Sequence, residues 1–213
     1  MAERSSSASP RTRRRRGQQR VESLLAAAER VFAETGYEAA TTNRIAAQAS
    51  ASPGSLYQFF RDKEQMAEAI ATRYAAQLSA LHDRLLEIGG HDTADKAIDS
   101  VVDLYVKFLR MAPAFGALFV SASISRNIST RASILNDTVA ARLARLMQEF
   151  APHLSSSALH LHAEICCLIF RSMIPLLQSD NARRRRQAAE QYRLVVKRYL
   201  RPILTSKIGA GER

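Results

Sequence analysis

The chain of 213 residues has no tryptophan, eight glycines, six prolines and two cysteines. The cysteines, Cys166 and Cys167, are neighbours, so they cannot cross-link distant segments, and a disulfide framework is excluded. That usage fits a reducing compartment, and the cytoplasm is the expected location. The longest strongly apolar runs, residues 112–120 and 165–170, are far short of the ~20 residues of a membrane span, so no membrane partner is expected. No apolar stretch follows the N-terminal arginines, so no secretory signal is expected either. A Gly-rich phosphate loop, a metal quartet and a nucleophile–base arrangement are all missing from the pattern, so neither an enzyme nor a cofactor is expected. No alternating strand pattern and no internal repeat is found.

What is present is alanine, leucine and charge. Hydrophobic residues make up 46% of the chain, enough for a sizeable core, and the composition favours an all-α protein. The formal charge of +11 is uneven. Residues 1–20 hold seven arginines and one glutamate, a net +6; residues 21–65 carry −2, and the remainder +7. Global basicity suits a nucleic-acid partner or an acidic surface, without saying where contact occurs.

The spacing predicts about nine helices. Residues 1–17 are polar and Arg-rich and read as a disordered tail. Val21, Leu24, Leu25, Ala28, Val31 and Phe32 then follow the spacing of an amphipathic helix, which Gly36 should stop. Thr41 caps a short second helix carrying Ile45, Ala46 and Ala49. Ser52 caps a third, with Pro53 at its first position, running to about Phe60. Asp62 caps a fourth, with Gln65 three residues on as in a capping box, and this helix ends at Gly89-Gly90. Further helices are predicted near 93–111, 113–121, 127–150, 155–178 and 182–204. Pro113, Pro152 and Pro202 should punctuate them, and Pro175 should kink or end the eighth.

On a helical wheel, Leu56 and Phe60 share one face of the third helix and can pack on Ile45 and Ala49. Gly54, Ser55 and Gln58 occupy the opposite, nearly bare face. Two short helices joined by a tight turn, the second with small polar residues outward, fit a helix-turn-helix. The second helix of that motif enters the DNA major groove, ~12 Å wide.

The stretch VFAETGYEAATTNRIAAQASASPGSLYQFFRDKEQM, residues 31–66, resembles the DNA-binding domain of the tetracycline-repressor (TetR) family. Phe32, Gly36, Tyr37, Thr41-Thr42, Ile45-Ala46, Ala49, Ser52, Gly54, Leu56-Tyr57, Phe60 and Lys63-Glu64 carry the resemblance. It implies a helix-turn-helix domain over 18–66, a helical regulatory and dimerisation domain over 67–205, and a flexible C-terminus over 206–213. It also implies site residues. Thr42 and Tyr57 stand where the family touches phosphate, and Lys63 where a lysine anchors phosphate at the start of the fourth helix. Asn43 stands where some members reach a base, and asparagine can pair with adenine. Ser52, Pro53, Gly54 and Ser55 would lie against the groove, with Gln58 facing outward toward a base, a phosphate or solvent. Two positions depart from the pattern: Ser50-Ala51 replaces a frequent Gly-Val, and Phe59 cannot donate the hydrogen bond that His or Tyr donates there in some members.

The helix-turn-helix region is itself net negative, so charge must come from elsewhere. The arginines at 13–16 (Arg13, Arg14, Arg15, Arg16) are expected to form an arm on DNA phosphates or in a minor groove. In the regulatory domain the resemblance implies a homodimer through the last two long helices and a small-molecule effector. Leu159, Ile165, Leu168, Ile169 and Met173 on one helix, with Tyr192, Val195, Val196, Tyr199 and Ile203 on the other, are candidates for the seam or for the subunit's own core. Candidate pocket residues are Tyr105, Phe108, Met111, Phe115, Phe119, His162 and Arg171, although aromatic and Met residues at such spacing are more often core. His160 with Glu164, and His162 with Cys166, have the spacing of metal ligands, but two ligands make no site, so no metal is expected. Arg183–Arg186 opens the last helix with cations at its unfavourable end. The expected function is a ligand-responsive dimeric regulator, a repressor, on a near-palindromic DNA operator. The alternative is an architectural DNA-binding protein without effector, held mainly by its Arg-rich tail.

Overall fold

The structure is a computed structural model and describes residues 10–88, 92–119 and 126–205. Among these residues every regular element is a helix: α1 (Pro10–Ala39), α2 (Thr42–Gln48), α3 (Pro53–Tyr57), α4 (Lys63–Ile88), α5 (Ala94–Met111), α6 (Phe115–Phe119), α7 (Arg126–Phe150), α8 (Ser156–Leu177) and α9 (Ala182–Thr205). The expected flexible segment 206–213 and residues 1–9 lie outside the described residues.

Three expectations are corrected. Residues 10–17 are the opening turns of α1, not a disordered tail. Arginine and glutamine are good helix formers, and Pro10 sits at the helix start where its missing N–H costs nothing. Pro202 does not stop α9, which runs on to Thr205. The proline lies within about a turn of the helix end, so few hydrogen bonds depend on it. Pro175, expected to kink or end the eighth helix, stands two residues before α8 ends at Leu177. The third helix is also shorter than expected, although Phe59 and Phe60 still donate their amides to the Leu56 carbonyl at 2.9 and 3.0 Å.

The expected caps form. Thr41 and Ser52 accept from the amides of Arg44 and Ser55, each at 3.2 Å. Asp62 accepts from the Gln65 amide at 2.8 Å, and the Gln65 side chain reaches back to the Arg61 amide at 2.8 Å. Gly36, with φ 76° and ψ 164°, breaks α1 into two helical pieces. A side chain there would meet no neighbour, so the requirement for glycine is conformational alone.

One apolar cluster joins both halves of the molecule. Phe32, Ile45, Leu56, Met66 and Ile70 fill the space between α1, α2, α3 and α4, and Tyr74, Phe108 and Leu118 continue it into α5 and α6. The small helix α6 packs on α1 and so carries the contact between the two halves. It is held by side chains. The Tyr74 hydroxyl accepts from the Ala114 amide at 3.3 Å. Gln178, just past α8, accepts from the Gly116 amide at 3.1 Å and donates to the Ala112 carbonyl at 3.0 Å. A Cβ on Gly116 would lie 2.6 Å from the Gln178 oxygen, so only glycine fits under this bond.

Charge staples the outer helices. Arg193 pairs with Asp99 at 3.1 Å and Asp103 at 2.6 Å, Lys197 with Asp99 at 2.7 Å, and Arg201 with Asp95. The ladder runs four residues per rung along α5 and α9. By length and composition alone α8 could cross a membrane, contrary to the reading of its shorter apolar runs. Here it packs between α7 and α9, and bears His160, Glu164 and Arg171.

Candidate nucleic-acid interface and interior cavities

The helix-turn-helix is built as its sequence requires. Ile45, Ala46 and Leu56 are fully buried and Phe60 nearly so, which turns the opposite side of α3 outward. Ser52, Pro53, Gly54 and Gln58 are exposed and Ser55 is half-exposed, leaving a low, polar ridge. Phe59 turns inward against the core, which accounts for a residue there without a hydrogen-bond donor.

The turn between α2 and α3 depends on Ser50, whose φ is 50°; among the described residues it is the single non-glycine residue with positive φ. The turn thus keeps the backbone that a glycine would adopt freely.

Two hydroxyls expected on phosphate meet across the motif. Thr42 Oγ1, at the start of α2, lies 3.0 Å from Tyr57 Oη, at the end of α3. Tyr57 is 54% exposed despite its ring, so the pair sits on the outer surface. Asn43 beside it is exposed. Arg44, which the sequence reading passed over, is exposed too and pairs with Glu34 at 3.2 Å.

Lys63 has other work in this structure. Its ammonium donates to the carbonyls of Tyr37, Glu38 and Ala40 at 2.9, 2.8 and 3.1 Å, and lies 4.7 Å from the centre of the Tyr37 ring. All three N–H groups are thereby engaged, at the end of α1 where the helix dipole is negative. Arg14, Arg15 and Arg16 are exposed on the opening turns of α1, and the side chain of Arg13 lies outside the described residues.

Among the described residues of the second half, two small cavities are walled by Tyr105. The first, about 40 Å³, is bounded by α5, α7, α8 and α9, with Ile98, Tyr105, Met147, Cys166 and Tyr192 among its walls. The second, about 30 Å³, is bounded by Leu78, Tyr105, Phe119, Asn136, Phe170 and Arg171, among others. Tyr105 walls both. Its ring stacks on Phe170 with centres 4.4 Å apart, and its hydroxyl meets His82 Nε2 at 3.0 Å. The Leu78 carbonyl, an acceptor only, lies 2.8 Å from His82 Nδ1, so Nδ1 carries the proton. Neutral Nε2 then accepts from the Tyr105 hydroxyl. Burial holds the His82 imidazole below its usual range. Burial also pushes the Cys166 and Cys167 thiols up to about 12, leaving both as neutral wall groups.

Of the seven expected pocket residues, Tyr105, Phe115, Phe119 and Arg171 line the second cavity. Phe108 is instead solid core, edge-on to Tyr74 and Phe115. Met111 points to solvent at 51% exposure. His162 lines neither cavity and bonds the Tyr199 hydroxyl at 2.8 Å, between α8 and α9. His82 was missed because its partner stands 23 residues away on another helix. The expected seam residues also divide. Leu159, Tyr192 and Val196 are buried in the subunit, whereas Leu168 and Val195 are exposed together with Leu161 and Leu194.

A profile described as bacterial regulatory proteins, tetR family, matches residues 24–70, and one described as tetracyclin repressor-like, C-terminal domain, matches residues 94–200, about half of the chain. The chain belongs to the TetR family. It carries the family's N-terminal helix-turn-helix and C-terminal helical domain. It is similar to the HTH-type transcriptional repressor AcnR of Corynebacterium glutamicum, 31% identical over 127 residues. That match covers 57% of this chain and 63% of AcnR, so the chain spans less than two thirds of this relative's length. A TetR-family transcriptional regulator from Streptomyces coelicolor superposes with a TM-score of 0.56 at 25% identity, covering 87% of this chain and 99% of that one. The regulatory protein TetR from Rhodobacter sphaeroides shares the fold at a TM-score of 0.68 and 18% identity, over 84% and 97% of the two chains.

Proposed function

We propose that this TetR-family protein is a ligand-responsive dimeric repressor acting in the cytoplasm on a near-palindromic DNA operator. The observation that carries the reading is the Thr42–Tyr57 hydroxyl pair beside the bare ridge of Ser52, Pro53, Gly54 and Ser55. Two hydroxyls 3.0 Å apart can both donate to one phosphate, and the ridge leaves room for the groove floor. Asn43 and Gln58, both exposed, flank the ridge as base readers. Arg14, Arg15 and Arg16, with Arg13, extend the contact along the phosphates as a helical arm. The proposed domain bounds are a helix-turn-helix over 18–66 and a regulatory domain over 67–205, which overlap the matched segments 24–70 and 94–200.

Leu161, Leu168, Leu194 and Val195 form the apolar surface through which α8 and α9 meet a second copy. A two-fold dimer presents two ridges, so the operator is a near-palindrome with half-sites set by the dimer. The cavities around Tyr105 take the effector. The test is selection of bound sequences from a random DNA pool by the full chain, with the recovered motif measured over a range of salt. A two-fold motif is expected. Salt-sensitive binding without a motif would favour the alternative, an architectural protein held by its arginines.

A further inference from the structure

Resting on the effector reading above, we propose that the effector is a slender lipophilic acid: an apolar chain passing between the two cavities at Tyr105, with one anionic head at Arg171.

The walls decide the class. Among the described residues no carboxylate lines either cavity, and Arg171 is the one charged residue on the second. Among the described residues Arg171 has no ion-pair partner. Asn136 adds an amide on the same wall. A cationic ligand would meet Arg171 unscreened, whereas an anion would neutralise it and gain charge-assisted hydrogen bonds. Elsewhere polar partners are scarce. The Tyr105 hydroxyl is donated to His82, so it is turned away from a guest. The first cavity is aliphatic and aromatic apart from the Cys166 thiol and the Tyr hydroxyls. A ligand with polar groups along its length would leave them buried and unpaired there. What fits has its polarity at one end.

Shape adds a second constraint. At about 40 and 30 Å³ the cavities are far smaller than the ~300–1,000 Å³ of pockets for drug-sized ligands. Both are walled by Tyr105, whose ring stacks on Phe170. A chain longer than a few carbons enters only if that ring swings out of its stack and joins them. The acid therefore binds an expanded shape and not this one, which is the differential affinity a switch requires.

The experiment is calorimetry on the full-length protein with straight-chain acids from hexanoic to tetradecanoic, each beside the primary alcohol and the alkyl trimethylammonium of equal length. Release of a selected DNA site is followed by fluorescence anisotropy. Acids should bind at least about tenfold tighter than alcohols, as expected for a charge-assisted contact. Affinity should rise about fourfold per methylene until the joined cavities are full. In Arg171→Gln the acid should lose its advantage over the alcohol, and Arg171→Lys should restore most of it. In Ala97→Val, which narrows the first cavity, the gain should stop at a shorter chain while short acids bind as before. Equal binding of acid and alcohol, or no effect of Arg171→Gln, overturns the anionic head. Release of DNA by a cationic or bulky aromatic compound but by no acid overturns the class while leaving the effector reading intact. If no compound of any charge binds or releases DNA, the effector reading itself falls, and this proposal with it.

Discussion

Thr42 Oγ1 and Tyr57 Oη lie 3.0 Å apart, on different helices and fifteen residues from one another in the chain. The pair ties the first turn of α2 to the last turn of α3 at the surface proposed to face DNA. In the proposed complex this bond holds the two hydroxyls side by side, and on giving it up both can donate to one phosphate. Tyr57→Phe and Thr42→Val should each weaken binding about three- to tenfold, equally on all sequences, since phosphate contacts position and do not specify. The double variant should lose less than the two effects added, because the residues share one partner. Competition among operator variants measures this, and a changed base preference would reassign the pair to base readout.

Lys63 was expected on phosphate, yet its three N–H groups are spent on carbonyls at the end of α1. Lys63→Met should lower stability by about 1–2 kcal/mol, within the range for hydrogen bonds to a charged group at a half-exposed site. Its DNA affinity should fall with the salt slope unchanged. A slope reduced by ~0.9 would show instead that Lys63 leaves the carbonyls for a phosphate on binding.

Ser50 adopts φ 50° in the turn. A left-handed conformation costs a non-glycine residue roughly 1–2 kcal/mol, and glycine loses part of that gain to its freedom in the unfolded chain. Ser50→Gly should therefore stabilise the fold by about 0.5–1 kcal/mol. Ser50→Val should destabilise it, because β-branched residues tolerate positive φ least. Urea denaturation followed by circular dichroism checks both.

Because residues 10–17 are helical, the arginine arm can be tested without deleting it. Replacing Arg14, Arg15 and Arg16 with glutamine keeps a good helix former at each position. Helicity and melting temperature should stay constant while the log–log salt slope falls by ~0.9 for each phosphate contact removed. An unchanged slope would detach these arginines from DNA.

His82 sets a pH dependence. Its folded pKa lies below the ordinary 6.5, so the unfolded chain binds the proton more readily than the fold does. Stability from the neutral His82–Tyr105 pair is full above about pH 6.5 and declines as the pH falls below it. The melting temperature should drop between pH 7 and pH 5, and the drop should be smaller in His82→Gln. Parallel curves for the two proteins would assign the dependence to other groups.

Much of this was legible in the sequence because it is local. Caps such as Thr41, Ser52 and Asp62 act over three residues, and the burial of Leu56 and Phe60 follows from helical spacing alone. What escaped depends on partners far along the chain. His82 needs Tyr105, His162 is drawn to Tyr199, and Lys63 closes on a helix end 23 to 26 residues earlier. The run of arginines read as a tail because charge density outweighed helix propensity in the reading, whereas the backbone follows propensity. The ladder between α5 and α9 did leave a trace: Asp95, Asp99 and Asp103 repeat every four residues, as do Arg193, Lys197 and Arg201. Two complementary triplets at one spacing identify two helices that lie side by side.

Gln178 gives the turn between α5 and α6 the character of a latch. It grips the Gly116 amide on one side and the Ala112 carbonyl on the other, with no room for even a methyl group between. Both bonds are partly buried, so breaking either leaves an amide or a carbonyl with reduced access to water. The helix that Gln178 holds leans on α1, and α1 leads into the motif that carries Thr42 and Tyr57. A shift of Gln178 at the end of α8 would therefore be felt at α6 and, through it, at α1, the helix that leads into the proposed DNA-binding motif.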